Sequence, residues 1–184
     1  MKVTVITSSP KKEGTTALLA GEFIRGAKEA GHDVFRFDAA FEQVAPCLAC
    51  DCCRTDNGKC VQSDSMDKLN PELLAADYIV FVSPLYYFGL SSQLKTVIDR
   101  FYANNSKLMG SGKKAILMAA AADSDDWAMR ALAEHYKTIL KYLNWDDGGT
   151  LLAFGCGSRD DIKKTDYPAQ AYQMGKNLKS TTPP

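Results

Sequence analysis

Neither sign of charge is in excess in this chain: 22 Lys and Arg stand against 22 Asp and Glu, for a formal net charge of zero. That balance argues against a nucleic-acid footprint or a membrane-seeking surface. No apolar run approaches the roughly 20 residues of a transmembrane helix. Met1-Lys2 leads straight into a short strand pattern with no long apolar region behind it, so a signal peptide is not expected and a cytoplasmic protein is. Histidine is nearly missing, and His32 and His135 have no partner pattern, so both are read as surface residues. Two nucleotide signatures are also lacking. Gly110-Ser111-Gly112-Lys113-Lys114 precedes a strand and has neither the Gly nor the Ser/Thr of a phosphate-loop motif, and Gly155-Cys156-Gly157-Ser158-Arg159-Asp160 has Asp160 where a dinucleotide fingerprint needs its third Gly.

What is present reads as alternating strands and helices. With 184 residues and 46% apolar content, a single domain over 1–184 with a full core is expected. Lys2–Thr7 predicts a strand buried on both faces, and Thr15 to Ala30 a helix stopped by Gly31. Asp33–Asp38 predicts an edge strand. A helix from Met66 to Ala76 follows, split or restarted at Pro71, then a strand over Tyr78–Val82. A helix over Ser91–Tyr102, a strand over Lys113–Ala121, a helix capped by Asp125 or Asp126 and running to Leu143, a strand over Thr150–Phe154 and a helix over Pro168–Leu178 complete the pattern. Asp123-Ser124-Asp125-Asp126 reads as a solvated helix start, and the tail 180–184 is expected to fray. This is the alternation of an open, doubly wound α/β sheet, with flavodoxin-like strand order 2-1-3-4-5 and a ligand crevice outside the carboxyl ends of strands 1 and 3.

Two loops at that crevice carry unusual residues. Thr7-Ser8-Ser9-Pro10-Lys11-Lys12-Glu13-Gly14-Thr15-Thr16 joins a strand to a helix, a geometry that collects phosphate on free helix N–H groups. Ser8, Ser9, Thr15 and Thr16 offer hydroxyls, and Gly14 lets backbone approach a ligand. The alternative is an ordinary capped helix with Thr15 as N-cap. Ser83-Pro84-Leu85-Tyr86-Tyr87-Phe88-Gly89 follows the third strand; Pro84 to Phe88 would flank a flat ring through backbone N–H groups and side chains, with core packing as the alternative for at least one of the three aromatics. Together the loops fit a flat cofactor with one phosphate tail.

These stretches resemble the NAD(P)H-dependent FMN reductases of the flavodoxin superfamily. Ser8–Thr16 is similar to that family's S-P-R-x-x-S/G-N-T loop, Ala76–Tyr87 to its A-D-x-I-V-x-x-S-P-x-Y segment, and Leu94–Arg100 to its L-K-x-x-I-D-R helix. Lys11 stands where Arg is usual and Thr15 where Asn is common, which replaces a planar fork by a point charge and alters one contact. The resemblance implies FMN held by Ser8, Ser9, Pro10, Lys11, Gly14, Thr15, Thr16, Ser83, Pro84, Leu85, Tyr86, Tyr87 and Phe88, with Ala120 and Ala121 at the end of the fourth strand. It further implies NAD(P)H as transient donor and a homodimer or homotetramer. No residue is expected to act as an acid–base catalyst, since the flavin carries the chemistry. Lys95, Asp99 and Arg100 are read as structural.

Five of the six cysteines fall within Cys47–Cys60, inside an irregular stretch of about residues 39–65. The run Cys47-x2-Cys50-x2-Cys53-x6-Cys60 resembles the compact motif of iron–sulfur flavoproteins, a branch of the same superfamily, and implies a [4Fe–4S] cluster on those four thiolates. Bare packing or redox-active thiols, zinc, and a disulfide stay open beside it, and Cys52 is a thiol that a four-ligand site does not need. Cys156 reads as a small apolar residue. The expected function is an FMN-dependent oxidoreductase using NAD(P)H to reduce a flavin, quinone or other small acceptor. The alternatives are an iron–sulfur flavoprotein electron carrier serving a protein acceptor and a regulatory module with a redox-sensing thiol loop. The neutral charge favours the reductase over an acidic flavodoxin-type carrier.

Overall fold

A computed structural model describes residues 1–55 and 59–179. Gly58 of the cysteine stretch and the tail 180–184 expected to fray lie outside the described residues. In chain order the elements are β1 (Lys2–Thr7), α1 (Thr15–Glu29), β2 (Asp33–Asp38), α2 (Cys52–Thr55), α3 (Met66–Ala75), β3 (Tyr78–Pro84) and α4 (Ser92–Arg100). A 3-10 turn at Phe101–Asn104 leads into α5 (Asn105–Leu108) and β4 (Lys114–Ala120). A second 3-10 turn at Asp126–Met129 precedes α6 (Arg130–Leu143), β5 (Asp146–Ala153), α7 (Arg159–Lys163) and α8 (Tyr167–Lys176).

Every strand pair is parallel, and the order is β2-β1-β3-β4-β5, as the alternation predicts. Alternate side chains of each central strand enter opposite layers. Val3, Val5, Tyr78, Val80, Val82, Ile116 and Met118 pack with Leu19 and Phe23 of α1 and Ala171 of α8. Ile6, Ile79, Phe81, Ala115, Leu117 and Ala119 pack with Leu69 and Leu73 of α3, Leu94 and Val97 of α4, and Leu132, Tyr136 and Leu140 of α6. Burial on both faces is why these strands read as unbroken apolar runs.

Several boundaries differ from the sequence pattern, each for a local reason. Pro71 lies inside an unbroken α3: it removes one backbone donor, and burial of Met66, Leu69 and Leu73 on either side of it holds the helix together. Neither Asp125 nor Asp126 caps the long helix, because the 3-10 turn intervenes and α6 starts at Arg130. β5 begins four residues before Thr150, at Asp146; its polar, glycine-containing start is accommodated by a bulge between Ala115 and Leu117. His32 and His135 are half-buried at the surface, and burial pushes both imidazoles below their ordinary value.

α1 and α8 cross at a pair of glycines. A Cβ on Gly26 would strike the Tyr172 carbonyl, and one on Gly175 the Phe23 carbonyl. Since backbone cannot yield as a flexible side chain can, Gly175→Ala should destabilise the protein by about 2 kcal/mol or more. Urea denaturation checks this, with Gly21→Ala, at an open position of the same helix pair, expected to be neutral or mildly stabilising.

Candidate functional site

At the carboxyl ends of the strands lies a cleft of about 470 Å³, lined by Ser9, Lys11, Glu13, Gly14, Thr15, Pro84, Leu85, Tyr86, Ala120, Ala122, Cys156, Gly157, Ser158 and Arg159. Such a volume suits a cofactor-sized ligand, and its position is the switch point of a doubly wound sheet. A cleft of about 510 Å³ at the opposite end of the sheet, by Tyr78, Lys114, Asp147 and Gly148, has the C-terminal part of α8 in its lining and no helix N-cap.

The cleft's anionic preference comes from α1. Its N-cap is Gly14, not Thr15; Gly14 makes no side-chain cap, and the first turn contains no acid. The first amides of a 15-residue helix therefore point outward without a side-chain acceptor. Gly14 is needed for space: its N–H closes a turn onto the Lys11 carbonyl at 3.1 Å, and a Cβ would come within 3.1 Å of the Lys11 Cβ. Ser9 Oγ accepts from the Lys11 N–H at 3.1 Å, and the Arg159 guanidinium donates to the Glu13 carbonyl at 3.2 Å. Two cations, Lys11 and Arg159, thus border one helix N-terminus.

Of the residues singled out in the sequence, Ser9, Lys11, Gly14, Thr15, Pro84, Leu85, Tyr86 and Ala120 meet at the cleft. Pro10 is exposed, while Thr16 and Ala121 are buried. Ser8 and Ser83 are buried in the framework: Ser8 Oγ donates to the Val82 carbonyl at 3.0 Å, and Ser83 Oγ accepts from the Ser91 N–H at 2.9 Å. Backbone donors of the aromatic loop are partly spent, Leu85 N–H on the Ala120 carbonyl and Tyr86 N–H on Gly89. Sequence reasoning missed the loop after β5, from Cys156 to Arg159, and Trp127 after β4. Their place beyond strand carboxyl ends was the available signal.

No ring of the aromatic loop is buried in the core. Tyr86 and Phe88 are exposed, and Tyr87 is fully so. Phe88 stacks on Trp127 with ring centroids 5.1 Å apart. The Tyr86–Gly89 turn closes with reciprocal backbone bonds of 3.2 and 3.1 Å, and its two central residues have φ of 45° and 62°. That left-handed pair is normal for Asn-Gly and strained for two aromatics.

The second candidate site is the cysteine loop. Cys47, Cys50, Cys53 and Cys60 line a single small cavity of about 20 Å³, with Leu48, Ala49, Val61, Arg100 and Ala103 around them. All four are free thiols. Left-handed Ala49 and Asp51, φ 51° and 56°, bracket Cys50 and curl the chain so that successive sulfurs share one concavity. Cys52 does not line the cavity, its thiol donating to the Cys50 carbonyl at 3.6 Å. Hydrogen bonds from Cys52, its backbone N–H first, hold the Cys50 thiol below its ordinary value, whereas burial and then the neighbouring sulfurs push Cys53 up. Among the described residues, no three His, Cys, Asp or Glu side chains converge tightly enough for a single ion.

Beneath this cavity lies Arg100, which does not pair with its neighbour Asp99. It donates to the Ala45 carbonyl at 2.8 Å and forms a two-armed pair with Asp64. Burial alone would raise the Asp64 carboxyl, but Arg100 and the N–H groups of Met66 and Ala45 hold it below the usual carboxylate range. Asp99 pairs instead with Lys95 at 2.6 Å on the exposed helix face.

A doubly wound sheet with an anion-seeking helix end and an aromatic wall at its switch point defines a phosphate-bearing, flat-cofactor binding protein. The chain belongs to the family described as NADPH-dependent FMN reductase, which residues 1–154 match. It is 38% identical over 100 residues to an iron-sulfur flavoprotein of Methanosarcina thermophila, covering 54% of this chain and 52% of that one. It is 27% identical over 184 aligned residues to an iron-sulfur flavoprotein of Archaeoglobus fulgidus, covering 97% and 79%. In the first case the match spans about half the relative's length. Among solved structures, the NAD(P)H:quinone oxidoreductase of Methanothermobacter marburgensis has the same fold, with a TM-score of 0.71 at 18% identity over 97% of this chain and 96% of that one. No helix among the described residues is long and apolar enough to cross a membrane.

If the strained aromatic turn is kept for ligand contact, converting it to the relaxed pair will separate stability from function. Tyr87→Asn with Phe88→Gly should raise stability by about 1 kcal/mol or more while weakening cofactor or acceptor binding. Thermal melts and equilibrium titrations on the same preparation check both halves; a stabilised variant that binds normally would show that the strain serves no ligand.

Proposed function

We propose that this chain is an FMN-dependent oxidoreductase that draws on NAD(P)H and reduces a flavin, quinone or other small acceptor. The observation that carries the reading is the uncapped α1 N-terminus, flanked by Lys11 and Arg159, opening into a cleft walled by Pro84, Leu85 and Tyr86. FMN bound there would supply the redox chemistry between a nicotinamide donor and the acceptor. The protein's part is position and electrostatics. Backbone N–H groups of Thr15 and Thr16, with the Lys11 and Arg159 cations, bind the phosphate. Pro84, Leu85 and Tyr86 hold one side of the ring system, and the small side chain of Ala120 leaves room beside it. Exposed Tyr87, Phe88 and Trp127 are where a nicotinamide or acceptor ring would stack, and where a homodimer or homotetramer would cover apolar surface.

A second reading concerns the cysteines, which we propose hold a [4Fe–4S] cluster. Four free thiols around one cavity, with charged Asp51, Asp99 and Arg100 also in its lining, match the all-sulfur donor set of such a cluster, and a cubane would take one thiolate at each iron corner instead of drawing all four onto one ion. Bound there, the cluster would relay single electrons to a protein partner.

Lys11→Ala and Arg159→Ala should each weaken FMN about tenfold or more, as loss of a charge-assisted hydrogen bond implies, and leave riboflavin affinity unchanged. Fluorescence-quenching titrations with both ligands check this; equal losses for both would place the phosphate elsewhere. Stopped-flow mixing with NADPH should bleach the bound flavin, and a flavin that stays oxidised would sink the reductase reading. Iron and acid-labile sulfide assays on anaerobically purified protein decide the second.

A further inference from the structure

Arg100 joins the two ends of the cysteine loop and leaves its Nε–H over. Arg100 is 3% exposed. One terminal nitrogen donates to the carbonyl of Ala45, just before Cys47, and both terminal nitrogens reach Asp64, just after Cys60. Asp64 also accepts from the Ala45 N–H at 3.1 Å, so the loop's two ends are clasped through one buried ion pair. The Nε of Arg100 is buried and has no hydrogen-bond partner among the described residues. An unpaired buried N–H on a cation is costly and calls for an acceptor that arrives with a ligand. Arg100 lines the cysteine cavity itself, and the Cys60 sulfur lies near enough to act on the guanidinium.

We infer that Arg100 is a positioning residue of the cysteine site, and that its Nε–H donates to sulfur at the Cys60 corner of the bound cluster. This rests on the cluster reading above. A cubane ligated by four thiolates is an anion, and taking up one electron from reduced flavin or dithionite adds one negative charge without breaking a bond. A buried cationic donor at its sulfur stabilises the reduced form more than the oxidised one, and so raises the reduction potential. The remaining polar contacts of Arg100 are structural and would be kept in any state of the site.

The test uses the whole protein, anaerobically purified with iron and sulfide at full content. Arg100→Lys keeps a buried cation opposite Asp64 and removes Nε–H. At the wild-type midpoint its reduced-to-oxidised ratio should fall on the order of tenfold, a hydrogen bond to a charged group being at stake, in a dithionite titration followed by EPR. Should that variant fail to load, the wild type decides alone. With arginine labelled by ¹⁵N at Nε, pulsed EPR of the reduced cluster should show a ¹⁵N coupling, and it should persist in Arg54→Lys, which removes the labelled side chain beside Cys53. A loaded cluster with no such coupling overturns the proposal, even if the potential of Arg100→Lys moves, because the shift then arises from the loop clasp. A coupling with an unchanged potential overturns the potential-setting role. Wild-type protein without iron or sulfide overturns the cluster reading and this inference with it.

Discussion

The site is built on a buried chain of serine hydroxyls. Ser8 Oγ donates to Val82, Ser91 Oγ donates to Ser8 Oγ at 2.8 Å, and the Ser91 N–H donates to Ser83 Oγ. Ser91 is also the N-cap of α4, accepting from the Leu94 N–H. Four contacts thus lock the loop after β1, the end of β3 and the start of α4 into one body. Each group is buried, so removing any one would strand its partners without water to replace it. The phosphate loop and the aromatic wall can face each other across a fixed cleft because their roots are bonded to a common serine.

α4 carries that constraint to the second site. Its first turn is fixed under the cleft, and its last residue, Arg100, clasps the cysteine loop through Ala45 and Asp64. Nine helical residues span about 13 Å, so the cysteine cavity is set off from the carboxyl edge by roughly the length of this helix. The two cavities share no lining residue. One rigid element therefore fixes both, and a sequence segment that resembles a family motif, Leu94–Arg100, is accounted for by what its two ends hold.

The sheet was legible because burial on two faces writes unbroken apolar strands and because each helix carries one apolar stripe. The exceptions are instructive. Asp146-Asp147-Gly148-Gly149 has no strand pattern, and only pairing with β4 across a bulge makes it one. Hydroxyls in the first loop announced polarity but not its direction: Ser9 faces the cleft while Ser8, one residue away, faces the framework, a distinction set by the chain's turn at β1's end. Arg159 could not be connected to Glu13 from spacing, since 146 residues separate them. Likewise the Cys47–Cys60 spacing named the four sulfurs, but the alignment of Arg100 under them is a tertiary fact. The turn at Tyr87-Phe88 was opaque for another reason, its residues being poor choices for the conformation they adopt.

Those poor choices fall together. The two left-handed aromatics, the left-handed Ala49 and Asp51, and the unpartnered Nε of Arg100 sit at the cleft or the cysteine loop, while left-handed Asn144 at the end of α6 and the unpartnered Nε2 of His32 lie elsewhere. Elsewhere in the described chain buried polar side chains are paired, His32 Nε2 excepted. Buried Tyr136 bonds Ala115 and Asp147, buried Trp145 bonds Leu108, and buried Lys113 bonds two carbonyls. A fold able to pair an isolated lysine so fully had the means to relax the Tyr86–Gly89 turn. Local strain and open donors persist where surrounding structure enforces them and a ligand completes them. Their concentration at the ring-walled cleft and the sulfur-lined cavity is therefore a physical argument for ligand contact there that does not depend on the relatives' names.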